Sequence, residues 1–381
     1  MELQSLVGQE LVEVLYSPMK AFRKIIEKPD FKAVIIVLLL VIGSTVALQF
    51  VYNSKQLYEI RDPSNDEWTE ALTNQHVWTS VGSLTLDVTD YKMGNSSIKS
   101  SAFDATDIGL KVTGFDPVSY SDEKGYNKLF FWINWTNSQG ASPSSVTIKL
   151  FSISEDSYFE KDLVDLLPSN GEWGNIGLDL GSDQGWVSIN SADWASNITG
   201  IEFGLVWSDS ADLTLEIDGL YFNNFVSPIV SVGFEQSLLY IFVSVALNVG
   251  INWVLWSGIL LLVAKVFGED VGQWNVFFII FGYAFIATAV YTLVSALIFT
   301  SLPILSLPLD NELQIAAFSK TWLSNIVYQV GTGILWAGEV WVAALGAIVI
   351  KLLKNIPWGK AGTIAGVAFV IRFLLRFFFG F

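Results

Sequence analysis

"FKAVIIVLLLVIGSTVALQFVY", residues 31–52, is apolar almost from end to end and spans about one bilayer thickness at helical rise. Its reading decides the fold, because amphipathic helical spacing precedes it and an acidic, strand-like segment follows it. The region ahead of it is too long and too acidic for a cleaved leader, and no small-residue cleavage site follows. It therefore reads as the first of several membrane spans. Of the 381 residues 52% are hydrophobic, which fits further spans.

Upstream, residues 1–16 place Leu3, Leu6, Val7, Leu11 and Leu15 at helical spacing. In "SPMKAFRKIIEKPD", Ser17 can cap and Pro18 fits a first helical turn. Met19, Phe22, Ile25 and Ile26 then share one face, ringed by Lys20, Arg23, Lys24 and Lys28. Residues 1–30 are accordingly expected to be cytoplasmic amphipathic helices, the second lying on the membrane surface. The basic residues ahead of residue 31 keep the N-terminus inside, so the chain emerges on the extracytoplasmic side at residue 53.

From 53 to 227 the periodicity switches from helical to two, in runs such as "KLFFWINWT", "SSVTIKLFSIS" and "LTLEIDGLYF". This segment carries 26 Asp and Glu against 9 Lys and Arg, so it accounts for the whole net charge of −16. Such an acidic domain repels nucleic acid and anionic surfaces, and nucleic acid is excluded as a partner. The segment is expected to be an all-β sandwich. After it, four more apolar stretches, about 238–267, 274–299, 321–350 and 361–381, complete a five-helix bundle. Lys351, Lys354 and Lys360 put the last inner loop in the cytoplasm and leave the C-terminus outside.

The chain has no cysteine and one histidine, His76. Disulfides, thiolate chemistry, zinc sites and imidazole-based triads are excluded. There is no phosphate-binding glycine loop and no HExxH, so no enzyme is expected.

The polar residues inside the apolar stretches point elsewhere. Glu339 lies twelve residues before Lys351, Arg372 twelve after Lys360, and Asn252 thirteen before Lys265. At helical rise all three sit roughly 18 Å from the inner boundary, near mid-bilayer. Each belongs to a stripe: Asn325, Thr332, Glu339, Ala343 and Gly346; Ala361, Ala365, Ala368, Arg372 and Arg376; Ser244, Asn248 and Asn252. Small residues allow close approach, and polar ones pair across the contact. A Glu339–Arg372 ion pair is expected, with Asn248, Asn252 and Arg376 nearby. It reads either as a structural clasp or as the site of a transporter or channel component.

In the acidic segment three N-x-S/T sequons, at Asn95, Asn134 and Asn197, are candidate glycosylation sites. Asn134 shares strand parity with Phe130 and Trp132, so those two rings are candidates for an outward, ligand-facing surface. Eight of the fifteen tryptophans fall in this segment, and core packing is the expected role of most of them.

Two resemblances follow from particular phrases. "SPMKAFRKIIEKPD", "LLLVAKVFGEDVGQWNVFFIIFGYAFIA" (260–287) and "WVAALGAIVIKLLK" (341–354) resemble the Yip (Ypt/Rab-interacting protein) family of membrane proteins, which implies a five-span bundle. "GNSSIKSSAF" (94–103), "YNKLFFWINWT" (126–136), "GEWGNIGLDL" (171–180), "SADWASNITGIEFGLVWS" (191–208) and "LTLEIDGLYF" (213–222) resemble galactose-binding-like jelly rolls, as in carbohydrate-binding modules. That resemblance implies binding of an envelope glycan or a protein partner. It also implies a structural calcium with Asp218 as a last-strand ligand; the other reading of Asp218 is an acidic strand-end residue.

Overall fold

The computed structural model describes residues 2–121, 125–308 and 320–379. The last two residues of the stretch expected as the fifth span, 380–381, lie outside the described residues. The chain forms two compact units, one made of residues 1–57 and 227–381 and the other of residues 58–226.

The first unit is helical: α1 (Glu2–Tyr16), α2 (Pro18–Glu27), α3 (Phe31–Ser54), α4 (Pro228–Val232), α5 (Phe234–Val266), α6 (Trp274–Gly282), α7 (Ile286–Phe299), α8 (Ile326–Lys354) and α9 (Trp358–Phe379). A 3₁₀ turn at Tyr283–Phe285 joins α6 to α7, so among the described residues five helical stretches are long and apolar enough to cross a membrane. Their outer surfaces stay apolar: Leu39, Leu239, Leu262, Leu297 and Val370 are exposed. Inside, glycines set the helix spacing. A Cβ on Gly346 of α8 would come within 2.9 Å of Leu260 of α5, and one on Gly338 within 2.8 Å of Tyr291 of α7. The Ser295 hydroxyl of α7 donates to the Gly331 carbonyl of α8 at 2.8 Å, satisfying a polar group inside the packing.

Two expectations are corrected here. The amphipathic α2 does not offer its apolar face to a membrane surface. Phe22 and Ile25 are buried in the bundle core with Val34, Phe277 and Ile350, because a second apolar surface, that of the bundle, is close enough to cover them. Its basic residues turn to α1, where Lys20 and Lys24 reach the buried carboxylate of Glu13 at 2.9 and 2.6 Å. The fourth long helix starts later than expected, at Ile326. Asn325 caps it, accepting from the Val327 N–H at 2.8 Å, and so leaves the inward stripe.

The second unit is an antiparallel β domain of ten strands among the described residues: β1 (Gln56–Asp62), β2 (Val77–Val81), β3 (Ser83–Asp87), β4 (Ser97–Val118), β5 (Lys128–Asn137), β6 (Ser145–Ser154), β7 (Ser157–Asp162), β8 (Gly174–Asp179), β9 (Val187–Ile189) and β10 (Ile198–Val226). The long strands β4 and β10 pair along most of their length, with register breaks between Val206, Ala211 and Leu213. On one side of the breaks β10 lies between β4 and β6 and leads to β7 and β9; on the other it lies between β4 and β5 and leads to β8. The two halves face one another as a sandwich. Phe131 of one half and Phe203 of the other meet at 4.9 Å between ring centroids, and Trp135 meets Trp207 at 6.0 Å. The period-two alternation is visible on β5, where Leu129, Phe131, Ile133 and Trp135 are buried. Trp68, Trp78, Trp186 and Trp207 join Trp135 in this core, while Trp132, Trp173 and Trp194 are half-buried.

Candidate functional site

Three helices bring polar side chains to one level of the bundle. Glu339 lies fifteen residues before the end of α8, Arg372 fourteen after the start of α9, and Asn252 fourteen before the end of α5. At about 1.5 Å per residue these are matched depths of about 21–23 Å. The pair is bidentate. Arg372 Nη1 donates to Glu339 Oε2, and Arg372 Nη2 donates to Glu339 Oε1 at 3.1 Å. Nη2 also donates to Asn252 Oδ1 at 3.2 Å, and Asn252 Nδ2 donates to Asn248 Oδ1 at 2.7 Å. The guanidinium sits 5.1 Å from the ring centre of Trp256, a cation–π contact on its flat face. Arg376, one turn on, reaches Glu339 Oε1 at 3.7 Å. Arg372 and Glu339 are 13% and 17% exposed, Arg376 53%, so the first two form a sheltered pair and the third stands at its edge.

The cluster opens into a cavity of about 430 Å³. Thr45 and Gln49 of α3, Ser244 and Asn248 of α5, Thr288 of α7 and Thr332 of α8 add hydroxyls and amides to its wall. Sequence reading did not single out Thr45, Gln49, Thr288 or Trp256. The signal was present: Thr45 and Gln49 are four residues apart, hence on one face, in an otherwise aliphatic helix.

In the β domain the outward face of β5 carries Phe130, Trp132, Asn134 and Thr136. Phe130 stacks on Tyr221 of β10 at 5.6 Å and lies over Gly177 of β8, where a Cβ would come within 2.6 Å of the ring. Arg61 of β1 covers the other part of this tier, 4.5 Å from the Tyr221 ring centre, and is held by Glu59 at 2.8 Å. Glu59 also accepts from Asn223 Nδ2. Trp132 lies over Gly219, where a Cβ would come within 3.1 Å of its ring, and is half-buried like Phe130 and Tyr221.

Of the three sequons, Asn95 and Asn197 are exposed. Asn134 is corrected: it is buried, and its side-chain nitrogen, the atom a glycan would need, donates to Glu216 Oε2 at 3.3 Å. Outward parity does not make it accessible, because Glu216 beside it is itself buried and held by Lys99 at 2.6 Å.

Asp218 is fully buried. Its Oδ2 accepts from the Lys92 and Met93 N–H groups, the latter at 2.8 Å, and its Oδ1 from the Gly219 N–H at 2.7 Å and from Thr69 at 3.1 Å. Asp66 and Glu70, which sequence reading missed, lie beside it. Glu70 accepts from the Asn95 and Ser96 N–H groups, and Asp66 Oδ2 is buried with no partner. Burial, with the nearby charges of Asp218 and Glu70 adding to it, pushes the Asp66 carboxyl up to about 7 against the pull of the Thr69 hydrogen bond. Calcium takes six to eight oxygens. The acceptor positions of Asp218 are taken by N–H and O–H donors, and among the described residues no group of three or more His, Asp or Glu is placed to hold a metal ion. As arranged here, the residues clasp two loops.

No family model matches this chain and no curated protein matches it, so the likeness of the helical part to Yip proteins has no support there. Among solved structures, the chain is similar to a family 11 carbohydrate-binding module of a cellulosomal cellulase of Clostridium thermocellum, at 14% identity and a TM-score of 0.29, over 42% of this chain and 92% of that one. It is similar to a family 29 carbohydrate-binding module complexed with mannohexaose, at 13% identity and a TM-score of 0.26, over 42% of this chain and 87% of that one. An exo-beta-agarase matches at 14% identity and a TM-score of 0.30, over 44% of this chain and 25% of that one.

The ion pair and the Asp66 cluster each yield a test. Glu339→Ala or Arg372→Ala strands one charge of a sheltered pair, an effect of about 3–5 kcal/mol. Either variant is expected to lower the folded yield in detergent, and exchanging the two residues to recover part of it; single variants that match the parent in size-exclusion yield and thermal midpoint would contradict the pairing. For Asp66, the folded state keeps its proton up to about pH 7 while the unfolded chain loses it near 3.8. Stability of the β domain should therefore fall as pH rises from about 4 to 7 and level off above. Asp66→Asn should flatten that slope in thermal unfolding followed in a chelating buffer. The clasp predicts the same midpoint with and without chelator; a clear rise on adding calcium would establish the ion.

Proposed function

We propose that this protein is a multi-pass cell-membrane protein, without catalytic activity, whose β domain binds a glycan of the cell envelope. The observation that carries this reading is the outward tier of Phe130, Tyr221 and Arg61, flanked by Glu59 and Asn223. A pyranose ring presents a C–H face that packs on aromatic surface and an edge of hydroxyls that needs donors and acceptors. Phe130 and Tyr221 supply the first; the Arg61 guanidinium supplies donors for the second, held in place by the buried Glu59, which Asn223 in turn holds. Trp132, packed over Gly219, extends the aromatic surface on the same strand face.

Membrane insertion is supported by the five long apolar helices and by their exposed aliphatic surfaces. The side is argued from charge. Lys351 and Lys354 end α8, and Lys360 pairs with Glu269, so the α5–α6 and α8–α9 connections share one end of the bundle. With Lys20, Arg23, Lys24 and Lys28 ahead of α3, that end is cytoplasmic by the positive-inside rule, and residues 53–227 are extracytoplasmic. The exposed sequons Asn95 and Asn197 then lie on the glycosylated side. Lipid and an envelope glycan or protein are the partners of this reading; nucleic acid is not. The cavity beside Glu339 and Arg372 favours a second reading, a transporter or channel component.

Purified full-length protein displayed on an array of envelope polysaccharides should bind at least one of them. Tyr221→Ala and Phe130→Ala should each weaken that binding about tenfold, equivalent to about 1.4 kcal/mol. Silence across the array, or binding untouched by both variants, would defeat the glycan assignment. Protease added to intact cells should cut within residues 53–227 and spare the 355–357 connection; the opposite pattern would invert the topology.

A further inference from the structure

The polar centre of the bundle holds more cationic charge than its carboxylate can neutralise. Glu339 is one carboxylate against two guanidiniums, Arg372 and Arg376, so the wall of the cavity carries one net positive charge. The donors are not used up. Arg372 Nε has no acceptor, and Arg376 stands 3.7 Å from Glu339 Oε1, beyond a direct hydrogen bond, with half of its side chain open. An uncompensated charge inside a hydrocarbon layer is costly, and it is relieved by a counter-charge. Facing the arginines, the wall offers Thr45, Gln49, Ser244 and Thr332, groups that bond hydroxyls, while Leu48 and Trp336 keep part of it apolar. The volume, about 430 Å³, falls in the range of small-molecule sites.

We propose that this cavity binds a singly charged phosphodiester carrying a hydroxylated substituent. Guanidinium forks match phosphate oxygens, and one negative charge balances the one excess positive charge. Arg376 is the capturing group, because it is the cation least committed to Glu339. Glu339 competes with the ligand for Arg372 and so weakens binding. The hydroxyls and amides of α3 and α5 hold the polar substituent. The proposal rests on the helices spanning a membrane; it is independent of glycan binding by the β domain.

The test uses the full-length protein in detergent, with ligand binding followed by native mass spectrometry and by thermal shift. The probes are phosphatidylglycerol, its deacylated headgroup glycerophosphoglycerol, and phosphatidylcholine as a zwitterionic control. Phosphatidylglycerol should bind at least tenfold more tightly than phosphatidylcholine. Arg376→Gln, a change at a half-exposed position, should lower its affinity about tenfold without lowering the thermal midpoint of the free protein. Glu339→Gln should raise the affinity while lowering that midpoint, an opposition that a purely structural clasp does not produce. Should Glu339→Gln fail to fold, Thr45→Val takes its place and should weaken binding of phosphatidylglycerol. Saturation by glycerophosphoglycerol as well as by the lipid supports a free phosphodiester as the source; binding of the lipid alone supports a headgroup. Equal affinity for phosphatidylglycerol and phosphatidylcholine, or affinity unchanged in Arg376→Gln, would overturn the proposal.

Discussion

Apolar side chains cannot solvate a carboxylate, and the packing of Glu339 answers that constraint. Glu339 is matched in depth by Arg372 on the next helix and by Asn252 on α5, so one hydrogen-bonded node ties three helices at one level. A node of this kind sets rotation as well as depth. If α8 turned by one residue, Glu339 would leave Arg372, and Gly346 would no longer present its bare backbone to Leu260. The small residues and the charged ones thus encode the same helix faces. The flat packing of Arg372 on Trp256 adds a further restriction, because only one guanidinium orientation serves both the ring and the carboxylate.

The β domain answers a different problem, that of carrying most of the acidic charge of the chain in a compact form. Part of the solution is pairing on its surfaces: Lys99 lies between Asp87 and Glu216, and Lys149 joins Glu202 at 2.8 Å. Another part is burial of carboxylates under backbone donors. Asp218 is held by two N–H groups of the 92–93 loop and by the Gly219 N–H of its own strand, which take the place of water around it. Asp66 beside it lacks such donors at Oδ2 and holds its proton to a higher pH.

What could be read beforehand follows from the range of each interaction. The switch from helical to strand periodicity and the depths of Glu339, Arg372 and Asn252 depend only on spacing along one segment, and spacing is visible in the chain. The packing of α2 was not legible in the same way. Phe22 and Ile25 form an apolar face whose partner, whether lipid or protein, lies elsewhere in the sequence. Asn134 failed for a related reason: strand parity gives the side of a sheet, and accessibility depends on Glu216 and Lys99, which come from two other strands. Asp66 and Glu70 sit in a loop with no period at all, and only folding brings them to Asp218.

A structural clasp needs one cation for one anion, a shielded contact and nothing more. The pair of Glu339 and Arg372 with Asn252 meets that requirement by itself. The additional features lie outside it: a second guanidinium, an Arg372 N–H without an acceptor, and a cavity walled by hydroxyls and amides from α3, α5, α7 and α8. Each of these costs stability in a bundle that only had to hold together, since an apolar side chain would fill the space and carry no desolvation penalty. Their convergence on one wall is the physical argument that the centre of the bundle is built around something it holds as well as around itself.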